Sequence, residues 1–252
     1  MRLTFAVDGL KETQAQLRGF SDRRLAASLA TGLTRAAVEA RDGVKAEMPN
    51  VFDRPTPYTI GGVGMKGATA QTLEAEVFIK DQQSGDRGGR PAVVYLRPEI
   101  KGGKRQAKGV ERLLTAAGAL PGGWAIVPGA GAQLDQHGNL SRQQLTLILR
   151  QIRRSRSAGP QPRRRLVGDQ RKAGGQVFVI HPGAKGAAPG VYIRDAVGRN
   201  ITPLLLFVRQ ATYRARFDFE GIVTRIATQR LAPNIERAIA ESASRLLQRG
   251  GQ

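Results

Sequence analysis

Apolar positions recur at three- and four-residue steps over Leu25, Leu29, Leu33, Ala36, Ala37, Ala40, Val44 and Met48. That spacing puts one apolar stripe on one helix face. Ser21 is placed to cap this helix, with Asp22 at its positive end. Pro49 is expected to end it, because proline has no amide donor and pushes the preceding residue toward extended geometry. Upstream, Leu3, Phe5 and Val7 alternate as a short half-buried strand, and Asp8 is placed to cap a helix over residues 8–20 that turns Leu10 and Leu17 inward.

Alternation returns at residues 72–80, where Leu73, Ala75, Val77 and Ile79 face one way and Glu74 and Glu76 the other, predicting a strand. "AVVYL" at 92–96 reads as another strand, and the polar glycine-rich "DQQSGDRGGR" connects the two. Farther on, the pattern predicts a helix over 108–119, a strand at 124–129, a turn at 135–139 and a helix from Ser141 with Leu145, Ile148, Leu149 and Ile152 inward. "VFVI" at 177–180 and "GVYIR" at 190–194 read as a hairpin, and the unbroken "PLLLFV" at 203–208 as a central strand. A final helix runs from about Arg216 to Leu247 with Ile222, Ile226, Ile235, Ile239, Ala243 and Leu246 inward, broken or kinked at Pro233. The expected fold class is α+β: a small mixed or antiparallel sheet packed with long N- and C-terminal helices. Residues 1–100 and 200–252 form that core, and 101–199 form an inserted Gly/Pro/Arg-rich basic region.

Charge changes this picture most. Forty Lys and Arg stand against twenty Asp and Glu, a net of +20 on 252 residues. Such a surface attracts polyanions or acidic proteins. Nine basic residues fall within 150–172 against the single acid Asp169. For this tract two readings stand, a solvated loop or a contact with DNA or an acidic neighbour through Arg153, Arg154, Arg156, Arg163, Arg164 and Arg165. No aromatics interleave it, so any nucleic-acid contact would be to phosphates without base reading.

Absent chemistry narrows the function. The chain has no cysteine, which excludes disulfides, thiolate metal sites and cysteine nucleophiles and fits manufacture in a reducing cytoplasm. No apolar run approaches the ~20 residues of a membrane helix, and "MRLTFAVDGLKE" has no signal-peptide core. "GVGMKG" at 62–67 matches the dinucleotide fingerprint in letters only, because a Pro-rich segment precedes it and no helix follows; it reads as a loop. His137 and His181 have no companion ligands at metal spacing. No nucleophile elbow or carboxylate pair stands out, so neither an enzyme nor a cofactor is expected.

"NVFDRPTPYTI" at 50–60 remains. Pro55 and Pro57 stiffen it. It reads as a preorganised arm with Phe52 and Tyr58 as apolar anchors and Asp53 and Arg54 forming an ion pair across a subunit boundary, or as an arm folded back on its own core.

Three blocks, "EMPNVFDRPTPYTI", "VPGAGAQLDQHGNLSRQQLTLILRQI" and "PLLLFVRQATYRARFDFEGIV", resemble the minor tail protein Z family, the tail-completion proteins of lambda-like phages. "FDRPTP", "GNLSR" and "RFDFEG" are the most specific phrases, and the blocks are spread over about residues 20–250. The Arg-rich middle is the part least like the family. The resemblance implies a structural protein of the virion neck or upper tail, made in the host cytoplasm. It implies a ring of copies with neighbouring neck or tail proteins, and with genomic DNA in the channel, as partners, and no catalytic residues. The competing expectation is a sequence-nonspecific nucleic-acid-binding protein acting through the Arg tract.

Overall fold

The computed structural model describes residues 1–6, 22–82, 90–158, 175–195, 199–210 and 212–250. The fold is α+β, and the chain divides into two compact units. Met1–Gly103 and Tyr213–Gln252 form unit 1, and Lys104–Thr212 form unit 2. The helix expected over 8–20 lies outside the described residues.

Unit 1 is organised by two long helices, α1 (Asp22–Val51) and the last helix of the chain, α6 (Phe219–Gly250), which pack side by side. The periodic stripe of α1 is the core: Leu33, Ala36, Ala37, Ala40, Val44 and Met48 are fully buried. Burying each larger one contributes about 1.5–3 kcal/mol. From α6 come Phe219, Ile222 and Val223. Gly32 lies against Ile235 and Gly43 against Ile226, so the helices run antiparallel. Arg35 makes a two-pronged bond to Glu241 at 3.0 and 2.7 Å, and Asn234 donates to Glu39 at 3.0 Å along the same seam.

Pro49 does not end α1. The helix continues to Val51, and the Phe52 amide donates to the Met48 carbonyl at 2.9 Å. A proline this close to the C-terminus removes one amide bond and leaves the turn after it intact.

An antiparallel sheet, β1 (Arg2–Ala6), β3 (Glu74–Ile79) and β2 (Val63–Lys66) in that spatial order, packs on α1. As its alternation predicted, β3 buries Ala75, Val77 and Ile79. Within the glycine-rich 62–67 stretch, Val63–Lys66 is a strand, not a loop. Gly64 is needed there because a Cβ would sit 2.8 Å from the Phe78 ring on β3. A single-turn helix, α2 (Pro57–Ile60), precedes β2. "AVVYL" is also corrected: it opens a helix, α3 (Ala92–Lys101), which buries Ala92 and Leu96, four residues apart, on one face.

Two-residue strands, β4 (Gly103–Lys104) and β9 (Thr212–Tyr213), stand where the chain leaves unit 1 and returns. Unit 2 comprises α4 (Gly109–Ala116), β5 (Trp124–Pro128), α5 (Arg142–Ala158), β6 (Gly175–Ile180), β7 (Gly190–Asp195) and β8 (Ile201–Arg209). Its sheet is antiparallel in the order β5-β8-β7-β6. The expected 177–194 hairpin is β6–β7, and the apolar run 203–208 lies in the inner strand β8. The sequence placed β8 with the C-terminal core; its partners β5 and β7 put it in unit 2.

Leu114, Ile126, Ile148, Ile152, Val177, Val191, Leu205 and Phe207 form the core of unit 2. Within it the Glu111 carboxylate, 1% exposed, accepts from Arg105 Nη1 and Nη2 at 2.8 and 2.5 Å, from the Lys108 amide at 2.6 Å and from the Ile126 amide at 3.0 Å. One side chain thereby caps α4 and fixes β5 to it. Burial pushes the Glu111 carboxyl up, but the Arg105 guanidinium and the two amides together hold it below the usual carboxylate range.

Candidate partner interface

The segment after α1 is shaped residue by residue. Arg54 takes a left-handed φ of 46°, which costs a non-glycine residue roughly 1 kcal/mol and turns the chain sharply. Thr56 then caps α2, its hydroxyl accepting from the Thr59 amide at 3.1 Å, and Pro57 fits the first helical position. The two prolines thus serve a turn and a helix start, not an extended arm.

Its side chains divide between core and solvent. Phe52 is half-buried against Phe217, ring centroids 5.2 Å apart and tilted 60°. The Arg216 guanidinium lies over the Phe52 ring, 5.2 Å from its centroid. Arg216 is itself fixed by Glu99 at 2.6 Å and donates to the Val51 carbonyl at 3.3 Å. The hydrogen bond to Glu99 holds its pKa above the ordinary guanidinium value. Phe52 is therefore an anchor of its own unit. Asp53 and Arg54 pair with each other at 3.0 Å on the surface, and the Arg54 hydrogen bond lowers the Asp53 pKa. Pro55 is half-buried and Pro57 exposed. Tyr58 is the aromatic presented to solvent, 43% exposed, with its hydroxyl donating to the Arg90 carbonyl at 2.8 Å.

The corner that receives Phe52 is built by "RFDFEG". Phe217 and Phe219 are buried, and between them Asp218 caps α6 by accepting from the Gly221 amide at 2.9 Å. The sequence pattern started the final helix at about this point. The role of the stretch in holding residue 52 was not legible, because the partners lie 165 positions apart.

Of the basic tract, Arg150, Arg153 and Arg154 are exposed on α5, on the side away from buried Ile148 and Ile152. Arg156 lies in α5, but its side chain is outside the described residues, as are Arg163, Arg164 and Arg165 entirely. His137 sits in a turn where its amide and that of Asn139 donate to Asp135 at 2.9 and 2.8 Å, and exposed His181 follows β6. Among the described residues no group of three or more His, Cys, Asp or Glu is placed to hold a metal, and no helix is long and apolar enough to cross a membrane.

No family model, curated protein or solved structure matches the chain.

Proposed function

We propose that the chain is a virion structural protein of a tailed bacteriophage, a ring subunit at the neck or upper tail that joins head to tail or completes the tail. It works without catalytic chemistry, beside neighbouring neck or tail proteins. The observation that carries the reading is the corner in unit 1. Two of the three blocks with the family resemblance, "FDRPTP" and "RFDFEG", are distant in sequence and meet at Phe52 and Phe217. The stretches that carry the likeness thus have one shared structural task. The basic surface suits a channel that passes DNA or a seat among acidic neighbours.

The test is mass by light scattering, for the protein alone and mixed with virion proteins, at low and moderate salt. A discrete ring, formed alone or on a tail or connector partner, is expected. A monomer that ignores virion proteins and binds DNA in a salt-sensitive way overturns the reading. That outcome would favour the second one, a nonspecific nucleic-acid binder, for which the exposed Arg150, Arg153 and Arg154 on α5 speak.

A further inference from the structure

The sheet of unit 2 ends in two edge strands, β5 and β6. A free edge carries a row of unpaired amides and carbonyls on which a further strand can pair. In an antiparallel ladder these groups point outward at every second residue.

On β5 the outward residues are Trp124, Ile126 and Pro128. The Ile126 amide donates to the Glu111 carboxylate of α4 at 3.0 Å, and the Trp124 amide to the Pro121 carbonyl at 3.3 Å. Pro128 has no amide to offer. Every outward donor of this edge is therefore spent. On β6 the Val177 amide donates to Gln151 Oε1 of α5 at 2.9 Å, which makes Gly175, Val177 and Val179 the outward residues there. Glu111 and Gln151 are 1% and 4% exposed, and they are the buried polar or charged side chains of unit 2 among the described residues. They come from different helices, one a carboxylate and one a carboxamide. Each brings an acceptor to the outward amide of a different edge. An apolar side chain would fill either place without the cost of burying a polar group, so the acceptor is what these positions require.

We propose that Gln151 guards β6, as Glu111 guards β5, and keeps unit 2 from adding a strand. The excluded partner is an extended segment, in the first place the same edge of a second copy, because two identical edges pair antiparallel about a two-fold axis. The two edges are not equally secure. Glu111 is itself tied to Arg105 and the Lys108 amide, and Pro128 closes the end of β5. β6 contains no proline, and no side chain is bonded to the outward amide of Val179. β6 is thus the edge that depends on its guard. Copies of this chain, or other proteins, then meet it elsewhere than by lengthening the sheet of unit 2. This inference does not depend on the phage reading.

The experiment compares the full chain with Gln151→Ala, which removes the acceptor, and Gln151→Glu, which keeps an oxygen at the same reach. Light scattering over a range of concentrations reads the mass. The Gln151→Glu variant should match the unaltered chain, whereas the mass of Gln151→Ala should climb beyond it with concentration. Adding Val179→Pro to Gln151→Ala should return the mass to that of the unaltered chain, because proline removes an outward amide and spares the ladder to β7. Amide exchange at Val179 should slow as Gln151→Ala associates. A folded Gln151→Ala variant that keeps the parent's mass, an association that survives Val179→Pro, or one that leaves Val179 exchanging freely each overturn the proposal. A readout on the unaltered chain covers the case in which the variants fail to fold. There the Val177 amide should exchange far more slowly than that of Val179, and a serine-flanked peptide with the sequence of residues 175–180 should not bind. Equal exchange at the two amides, or peptide binding that protects β6, overturns the guard as well.

Discussion

Phe52 and Phe217 meet at a centroid distance of 5.2 Å although 165 residues separate them. The contact joins the end of α1 to the entry of α6, the two helices that define unit 1. Phe52→Ala should therefore cost about 2–3 kcal/mol, at or just below the low end of the roughly 3–5 kcal/mol lost with a fully packed phenyl ring, because this one is half-buried. Tyr58→Ala should cost less than about 1 kcal/mol, since its ring is largely in solvent and it loses one hydrogen bond to the Arg90 carbonyl. Urea unfolding of both variants checks this, and equal losses would refute the division of the segment into anchor and exposed aromatic.

The two glycines at the α1–α6 seam should differ. At Gly32 an added Cβ lies 2.7 Å from the Ile235 Cα and 2.9 Å from its amide nitrogen, so only separation of the helices makes room. At Gly43 the Cβ meets the Cδ1 end of the Ile226 side chain, which has other rotamers. Gly32→Ala should destabilise by roughly 1–3 kcal/mol, against a smaller loss for Gly43→Ala, where higher helix propensity offsets part of the crowding. Thermal unfolding of the pair decides it; a Gly43→Ala variant that melts below Gly32→Ala contradicts the packing.

The Glu111 site makes unit 2 sensitive to acid. Its folded pKa lies below the unfolded value of about 4.3. The stabilisation is therefore fully present above that value and is lost as pH falls through the folded pKa. Glu111→Gln should lower stability by about 3 kcal/mol at neutral pH, because it leaves Arg105 without its buried counter-charge. The gap between variant and parent should close as pH drops below ~4. Stability measured across pH tests this, and a gap that stays constant into acid would remove the carboxylate's charge from the explanation.

Nucleic-acid binding through α5 makes a demand that salt can test. Replacing Arg150, Arg153 and Arg154 by Ala should flatten the slope of log affinity against log salt by roughly 3, near 0.9 for each phosphate that is no longer neutralised. A slope unchanged by the triple replacement takes those side chains out of any DNA contact.

Regular burial was readable in advance, and long-range context was not. The stripe of α1 and the alternation of β3 announce themselves because one face of each element is uniformly buried. In "AVVYL" the β-branched and aromatic residues favour a strand locally, and the fold overrides them by burying Ala92 and Leu96 one turn apart. The glycines of 62–67 suggested a loop, whereas Gly64 makes room for the ring of Phe78 on the neighbouring strand. At the candidate site the two prolines stand at a turn and at a helix start. The direction of the segment depended on Arg54 turning left-handed and on Phe217, neither of which local composition reveals.

The insertion of unit 2 between the halves of unit 1 has a consequence for synthesis. When α1 leaves the ribosome its helical partner does not yet exist, because residues 52–218, all of unit 2 among them, must be translated first. At roughly 5–20 residues per second that interval lasts about 8–30 s. Unit 2 is continuous in sequence and is free to fold within it, while the apolar stripe of α1 waits uncovered for α6. The nascent chain therefore passes through a period in which one unit is finished and the other still needs shelter, and that period ends when the last helix emerges.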